Sequence, residues 1–179
     1  MRAIALLLLL SASAWAAEPL APPNASGRPT VVYFVLRDCP ISNQFAPEMN
    51  RICSEYEKRG VDCFLAYTDP DLTPESLAEH RADFSHRIPA VHDAEHAWVA
   101  LAGATITPEA ALFDAQGKLA YRGRVNNLYA ALGKARRQAT RHDLRDALDA
   151  VLAGKPVATP RTEAIGCYIP DLDAIRSSR

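Results

Sequence analysis

An α/β domain, with a central mixed sheet flanked by helices and an extended C-terminal tail, is the expected architecture of this chain. Val31–Leu36 is continuously apolar and rich in β-branched or aromatic residues, the mark of a strand covered on both faces. Strand-like and helix-like segments then alternate, which predicts a parallel core. Finally, Glu109–Phe113 and Lys118–Arg122 flank the turn Asp114-Ala115-Gln116-Gly117, so two antiparallel strands should join one side of the sheet.

Taken in order, the first strand is followed by a helix over roughly Ser42 to Lys58. Its apolar positions Phe45, Met49, Ile52, Cys53 and Tyr56 share a face, and Gly60 provides the stop. Val61–Tyr67 predicts a second buried strand, closed by Asp69-Pro70-Asp71. Thr73 should cap the next helix with Pro74 at its first position, turning Leu77 and Phe84 inward. A short extended piece at Ile88–Val91 and a helix over Ala94–Leu101, ending at Gly103, precede the hairpin. Thr140 is placed as the cap of a last helix carrying Leu144, Ala147, Leu148, Val151 and Leu152, and Gly154-Lys155-Pro156 ends it. The tail after it, with Pro160 and Pro170 and no helical period, should run extended over the surface.

Before the domain lies an address. Met1-Arg2, the apolar block Ala3–Leu10 and the small residues of Ala14-Trp15-Ala16 make residues 1–16 a secretory signal peptide, with cleavage expected after Ala16. Residues 17–28 form a flexible lead-in, 29–156 the domain, and 157–179 the tail carrying Cys167. No later segment is apolar for long enough to act as a membrane anchor, so the expected location is the periplasm or the exterior. The mature chain of 163 residues can bury a real core, and its 19 basic against 21 acidic residues give no nucleic-acid signal. Arg136, Arg137 and Arg141 are followed closely by Asp143 and Asp146, as on a solvated helix face. The sequon Asn24-Ala25-Ser26 falls in the lead-in and matters only in a eukaryotic secretory pathway.

Export makes the four cysteines, Cys39, Cys53, Cys63 and Cys167, informative, because disulfides persist outside the cytosol. They allow three pairings. Cys53 and Cys63 both point inward from a helix and the strand beneath it, as a structural disulfide or as two unreactive core thiols. Cys39 stands where the first helix begins. Unpaired N–H groups and the positive end of the helix dipole there favour thiolate, the reactive form. Pro40 suits the first turn, where its missing N–H needs no partner.

Four motifs in order carry a family likeness: Asp38-Cys39-Pro40-Ile41-Ser42-Asn43, Thr105-Ile106-Thr107-Pro108, Tyr121-Arg122-Gly123-Arg124 and Gly166-Cys167-Tyr168-Ile169. The chain resembles thioredoxin-fold proteins of the redoxin type, thioredoxin- and alkyl hydroperoxide reductase-like, and most closely exported bacterial ones. The resemblance implies a thioredoxin-like fold over nearly all of the mature domain. It also implies a cis Thr107–Pro108 bond, setting a backbone edge opposite Cys39 where an extended substrate could pair, so Pro40, Thr107 and Pro108 are the candidate substrate contacts; the alternative is a plain trans proline at a strand start.

Three departures narrow the chemistry. Ser42 stands where thioredoxins carry a second cysteine, Tyr33 where they bury a carboxylate, and Leu36 where peroxiredoxins place Thr or Ser. A lone attacking thiol needs a second thiol to resolve its mixed disulfide. Cys167 is the candidate, the alternative being a static disulfide that staples the tail. Asp38 could accept a proton or raise the thiol pKa by like charge. His80, His86, His92 and His96 invite a metal reading, above all the i, i+4 pair His92 and His96, but no third ligand is evident and surface histidines account for them.

The expected function is a periplasmic thiol–disulfide oxidoreductase, with Cys39 attacking and Cys167 resolving. No cofactor, resident metal or nucleic acid is expected. Its partners would be a protein or small-molecule disulfide or thiol and a separate redox partner. One alternative is copper binding or delivery, since soft thiolates select Cu(I), although Asn43 stands where Sco-type proteins place a second cysteine. A peroxiredoxin-like peroxidase is the other, weakened by Leu36.

Overall fold

The computed structural model describes residue 23 and residues 25–177; the expected signal peptide and most of the lead-in lie outside them. Strand β1 (Thr30–Val35) is buried along its whole length. It pairs in parallel with β2 (Asp62–Tyr67) and antiparallel with β5 (Glu109–Phe113). With β3 (Ala90–His92) and β6 (Leu119–Gly123) at the edges, the sheet runs β3-β2-β1-β5-β6. The antiparallel hairpin is thus added beside the first strand, as its Gly117 turn predicts.

Alternation along β1 builds two cores. Val31, Tyr33 and Val35 face helices α1 (Pro40–Tyr56) and α4 (Asp143–Leu152), packing with Phe45, Met49, Ile52, Leu144 and Leu148. Val32 and Phe34 face α3 (Ala97–Ala102) through Trp98, Ala102 and Ala104. Each such side chain contributes about 1.5–3 kcal/mol when fully buried, which explains why this strand has no polar face.

Helix α1 starts two residues earlier than expected, because Cys39 itself caps it. Cys39 has extended φ/ψ of −87° and 107°, and its sulfur accepts the Ser42 N–H at 3.4 Å. Pro40 occupies the first helical position and the Asn43 N–H already bonds the Cys39 carbonyl. The helix continues through Pro47, and a 3-10 turn (Glu57–Arg59) carries the chain to Gly60 at φ 85°.

Thr73 caps α2 (Pro74–Asp83), exchanging hydrogen bonds with Ser76. Two other helix starts differ from expectation. Before α3 the Asp93 carboxylate accepts the N–H groups of Trp98 and Val99, so the chain makes an extra turn and the helix begins at Ala97. Thr140 does not cap α4. Asn127 accepts the Thr140 and Arg141 N–H groups and donates to the Thr140 hydroxyl, which holds this residue in the preceding loop. The helix starts at Asp143, whose carboxylate takes a two-pronged contact from Arg124.

Between β6 and α4 lies a small hairpin without a strong apolar signal, β7 (Tyr129–Ala131) and β8 (Lys134–Ala135). The tail is not uniformly extended. It forms β9 (Cys167–Tyr168), paired antiparallel with β4 (Ile106–Thr107), and ends in the short helix α5 (Leu172–Ser177).

Beneath α2 a polar network supports the turn before α1. The Asn43 amide N–H donates to the Arg37 carbonyl, so its oxygen must accept from His80 Nε2 at 2.9 Å. His80 Nδ1 is then left to accept the Tyr67 hydroxyl at 2.8 Å, a neutral imidazole. His86 stacks on His80, and burial pushes its pKa down to about 4. A histidine depressed in the folded state is uncharged there but still protonates in the unfolded chain near its ordinary value of ~6.5. Its contribution to stability is therefore present above that pH and is lost as the pH falls through about 4. Urea unfolding at stepped pH should show stability falling across that window, with a shallower fall in His86→Phe; an unchanged slope in the variant contradicts the assignment.

Candidate active site at Cys39

The C-terminal end of β1 delivers the chain into a tight turn. The Arg37 N–H donates to the Asp69 carboxylate and the Cys39 N–H to the Leu36 carbonyl at 3.2 Å. Asp38 points outward, with its carboxylate 80% exposed and hydrogen-bonded to Arg37, which holds its pKa below the usual range. It is therefore not the proton acceptor for Cys39.

Opposite the turn stands the Thr107–Pro108 peptide, which is cis. The Cys39 thiol lies 3.2 Å from the Thr107 carbonyl oxygen and donates to it. Across the β4–β9 ladder Thr107 pairs with Cys167, and the Thr107 hydroxyl lies 3.4 Å from the Cys167 carbonyl. The pairing brings Cys167 to the same side as Cys39, close enough for each thiol to shift the other's acidity.

Their acidities diverge. Burial pushes the Cys39 thiol up, but the nearby Cys167 thiol, the Ser42 side chain, the Ser42 N–H and the Thr107 side chain outweigh it, and the net shift is downward. The buried Ser42 hydroxyl makes no hydrogen bond, so it is available to the sulfur when the thiolate forms. Cys167 is pushed up to about 12, first by burial and then by its bond to Cys39 and the charge there. Of the two thiols, Cys39 is shifted toward the more acidic side and Cys167 toward the less acidic.

The tail reaches this position because two glycines let it. Arg122 exchanges backbone bonds with Pro160 and Thr162 along β6, and a Cβ on Gly123 would meet the Thr162 hydroxyl oxygen at 2.2 Å. Tyr121 donates to the Arg124 carbonyl at 2.7 Å and lies 2.6 Å from the Thr162 hydroxyl. At the site itself, a Cβ on Gly166 would stand 1.9 Å from the Thr107 carbonyl oxygen. Tyr121, Gly123, Thr162 and Gly166 thus seat the tail; Tyr121, Gly123 and Gly166 fall in the motifs that carry the family likeness, whereas Thr162 carries no sequence signal.

Cys53 and Cys63 form a separate pair in the core, 2% and 3% exposed, and both are free thiols here, as are Cys39 and Cys167. Cys53 donates to the Tyr33 hydroxyl at 3.8 Å. Hydrogen bonding to Cys53 and burial hold Cys63 far above the usual thiol range, hence protonated. The position that could hold a buried carboxylate carries a phenol engaged with this inner pair.

His92 and His96 do not share a helix face. His92 lies in β3 and His96 in the turn before α3, and each ring bonds a backbone carbonyl, of Asp69 at 2.7 Å and Thr68 at 2.9 Å. His80 and His86 belong to the network under α2. Clefts of 630 and 450 Å³ flank that helix, and neither is lined by Cys39 or Cys167.

The chain shares its fold with an uncharacterized conserved protein of Geobacillus kaustophilus, 25% identical over 81% of this chain and 78% of that one, with a TM-score of 0.71. A hypothetical protein of Sinorhizobium meliloti is 26% identical, covering 80% and 79%, with a TM-score of 0.69. A protein of Chlorobium tepidum described as a putative thiol:disulfide interchange protein DsbE is 19% identical, covering 70% and 81%, at 0.55. No curated protein matches the chain. The fold is thioredoxin-like, and the Redoxin profile matches residues 20–135, from the lead-in through the cap turn and cis-proline edge to the small hairpin: the chain belongs to the Redoxin family.

Proposed function

We propose that the protein is a thiol–disulfide oxidoreductase of the periplasm, in which Cys39 is the attacking thiol and Cys167 resolves the mixed disulfide. The placement of Cys167 across the ladder from Thr107, whose carbonyl takes the Cys39 thiol, with the two acidities shifted in opposite directions, supports this reading. The description of the Chlorobium fold neighbour agrees with it. The signal segment supports the location, and among the described residues no helix is long and apolar enough to cross a membrane.

The cycle follows from the two acidities. Cys39 thiolate attacks one sulfur of a substrate disulfide. The substrate S–S bond breaks, one substrate sulfur leaves as thiolate, and the other is joined to Cys39. Charge on Cys39 is thereby removed, and with it one of the influences that hold the proton on Cys167. Cys167 passes that proton to the departed thiolate and attacks Cys39 Sγ. A Cys39–Cys167 disulfide forms and the second substrate sulfur leaves. The substrate gains two electrons, and a separate dithiol partner must return two electrons to the chain. Pro40 sets the helix start, while Thr107 and Pro108 supply the edge on which the substrate lies.

Two outcomes test this. Cys39→Ser should reduce disulfide exchange with insulin to the uncatalysed background, whereas Cys167→Ser should accumulate a near-stoichiometric mixed disulfide visible on non-reducing gels; full activity of the Cys39 variant contradicts the proposal. In a pH series of iodoacetamide alkylation, Cys39 should react with an inflection below that of an ordinary thiol at ~8.5, and Ser42→Ala should move the inflection upward. An unmoved inflection would show that Ser42 does not support the thiolate.

A further inference from the structure

The attacking sulfur is covered. Cys39 is 1% exposed and Thr107 is fully buried, and the segment that pairs with Thr107 is the chain's own Gly166–Ile169. Ile106 faces Tyr168, Thr107 faces Cys167, and the Ile169 N–H donates to the Thr105 carbonyl at 3.0 Å. Side chains alternate as in any strand: Cys167 turns to Cys39, while Tyr168 is 82% exposed. The residue before the cysteine must be glycine, since a Cβ there would sit 1.9 Å from the Thr107 oxygen. A disulfide cannot reach a sulfur beneath this strand, because exchange requires direct access to the thiolate.

We propose that β4 is a docking strand with two alternating occupants: the chain's own Gly166–Ile169, and an extended Gly-Cys segment of a partner protein disulfide. The proposal rests on the thiol–disulfide reading and names its substrate class. The tail lifts off; the partner segment pairs with Ile106–Thr107 by strand addition and presents its cysteine to Cys39. Cys39 attacks that cysteine's sulfur, the partner's S–S bond breaks, and the partner's other sulfur leaves as thiolate. The returning tail then displaces the partner segment from β4 and brings Cys167, which loses its proton to that thiolate and attacks Cys39. The Cys39–partner bond breaks, the partner leaves reduced by two electrons, and the chain keeps the disulfide. The same strand resolves the intermediate and expels the product.

The test uses the reduced full chain and needs no turnover. Gly166→Ala forces the tail off Thr107 while leaving both cysteines in place; Ile169→Pro, which removes the N–H given to Thr105, is a second route to the same release. Either folded variant should alkylate Cys39 at least about tenfold faster than the unaltered protein and bind at least about tenfold more tightly, a difference of about 1.4 kcal/mol, a peptide of the 163–171 sequence with serine in place of its cysteine. The same peptide with alanine in place of its glycine should bind at least about tenfold more weakly. Equal alkylation rates and equal peptide binding in unaltered and variant proteins overturn the proposal, as does indifference to the peptide's glycine. A chain that fails to turn over insulin but shows this gating would instead count against the oxidoreductase reading alone.

Discussion

The Thr107 carbonyl oxygen lies 3.2 Å from Cys39 Sγ, and across the ladder Thr107 is paired with Cys167. One residue of β4 therefore ties the head of α1 to a tail more than a hundred positions away in sequence. Without that pairing Cys39 would be a solitary thiol at a helix start. With it, the site has two thiols close enough to shift each other's acidity. Arg122, Gly123 and Thr162 align the tail along β6, and Gly166 permits the final close approach. Each backbone bond in such a ladder is worth roughly 0.5–1.5 kcal/mol net, so the few that hold the tail amount to a few kcal/mol. That is enough to keep it docked and little enough for it to open without unfolding the domain.

The polarity of the pair comes from neighbours rather than from a strong base. Thioredoxin-like sites can use a buried carboxylate, but Tyr33 fills its place and is engaged with Cys53. Asp38 is turned to Arg37 and solvent. Donors gathered at the first turn of α1, together with the Cys167 thiol, lower the Cys39 pKa against the opposing effect of burial. Burial and the adjacent charge act in the same direction on Cys167 and favour its protonated form.

Much of this was legible in the residues. The apolar run at Val31–Leu36, the Asp-Ala-Gln-Gly turn and the helix stop at Gly60 specify local structure directly, and each stands where its chemistry predicts. Cys39 stood out as a candidate because unpaired N–H groups at a helix start favour thiolate, and it does cap α1. Helix starts governed by distant side chains were not legible: Asp93 reaches forward over a turn to cap α3, and Asn127 captures Thr140 before it can cap α4. The tail was misjudged for a related reason. Its backbone bonds are made with Arg122 and Thr105, so its own sequence has no period to read, and α5 is too short to show one. Gly123 and Gly166 look like loop glycines until the strand against each is known.

The four cysteines divide into an outer and an inner pair. Cys39 lies beneath the tail strand that carries Cys167, whereas Cys53 and Cys63 are enclosed between α1 and β2. The most direct measurement of the central claim is peptide mass spectrometry of the exported protein, digested without reduction and compared before and after brief treatment with dithiothreitol. The expected result is a Cys39–Cys167 linked peptide that disappears on mild reduction. Recovery of Cys39 unlinked after oxidation, or linked to Cys53 or Cys63, would contradict the assignment of Cys167 as its partner.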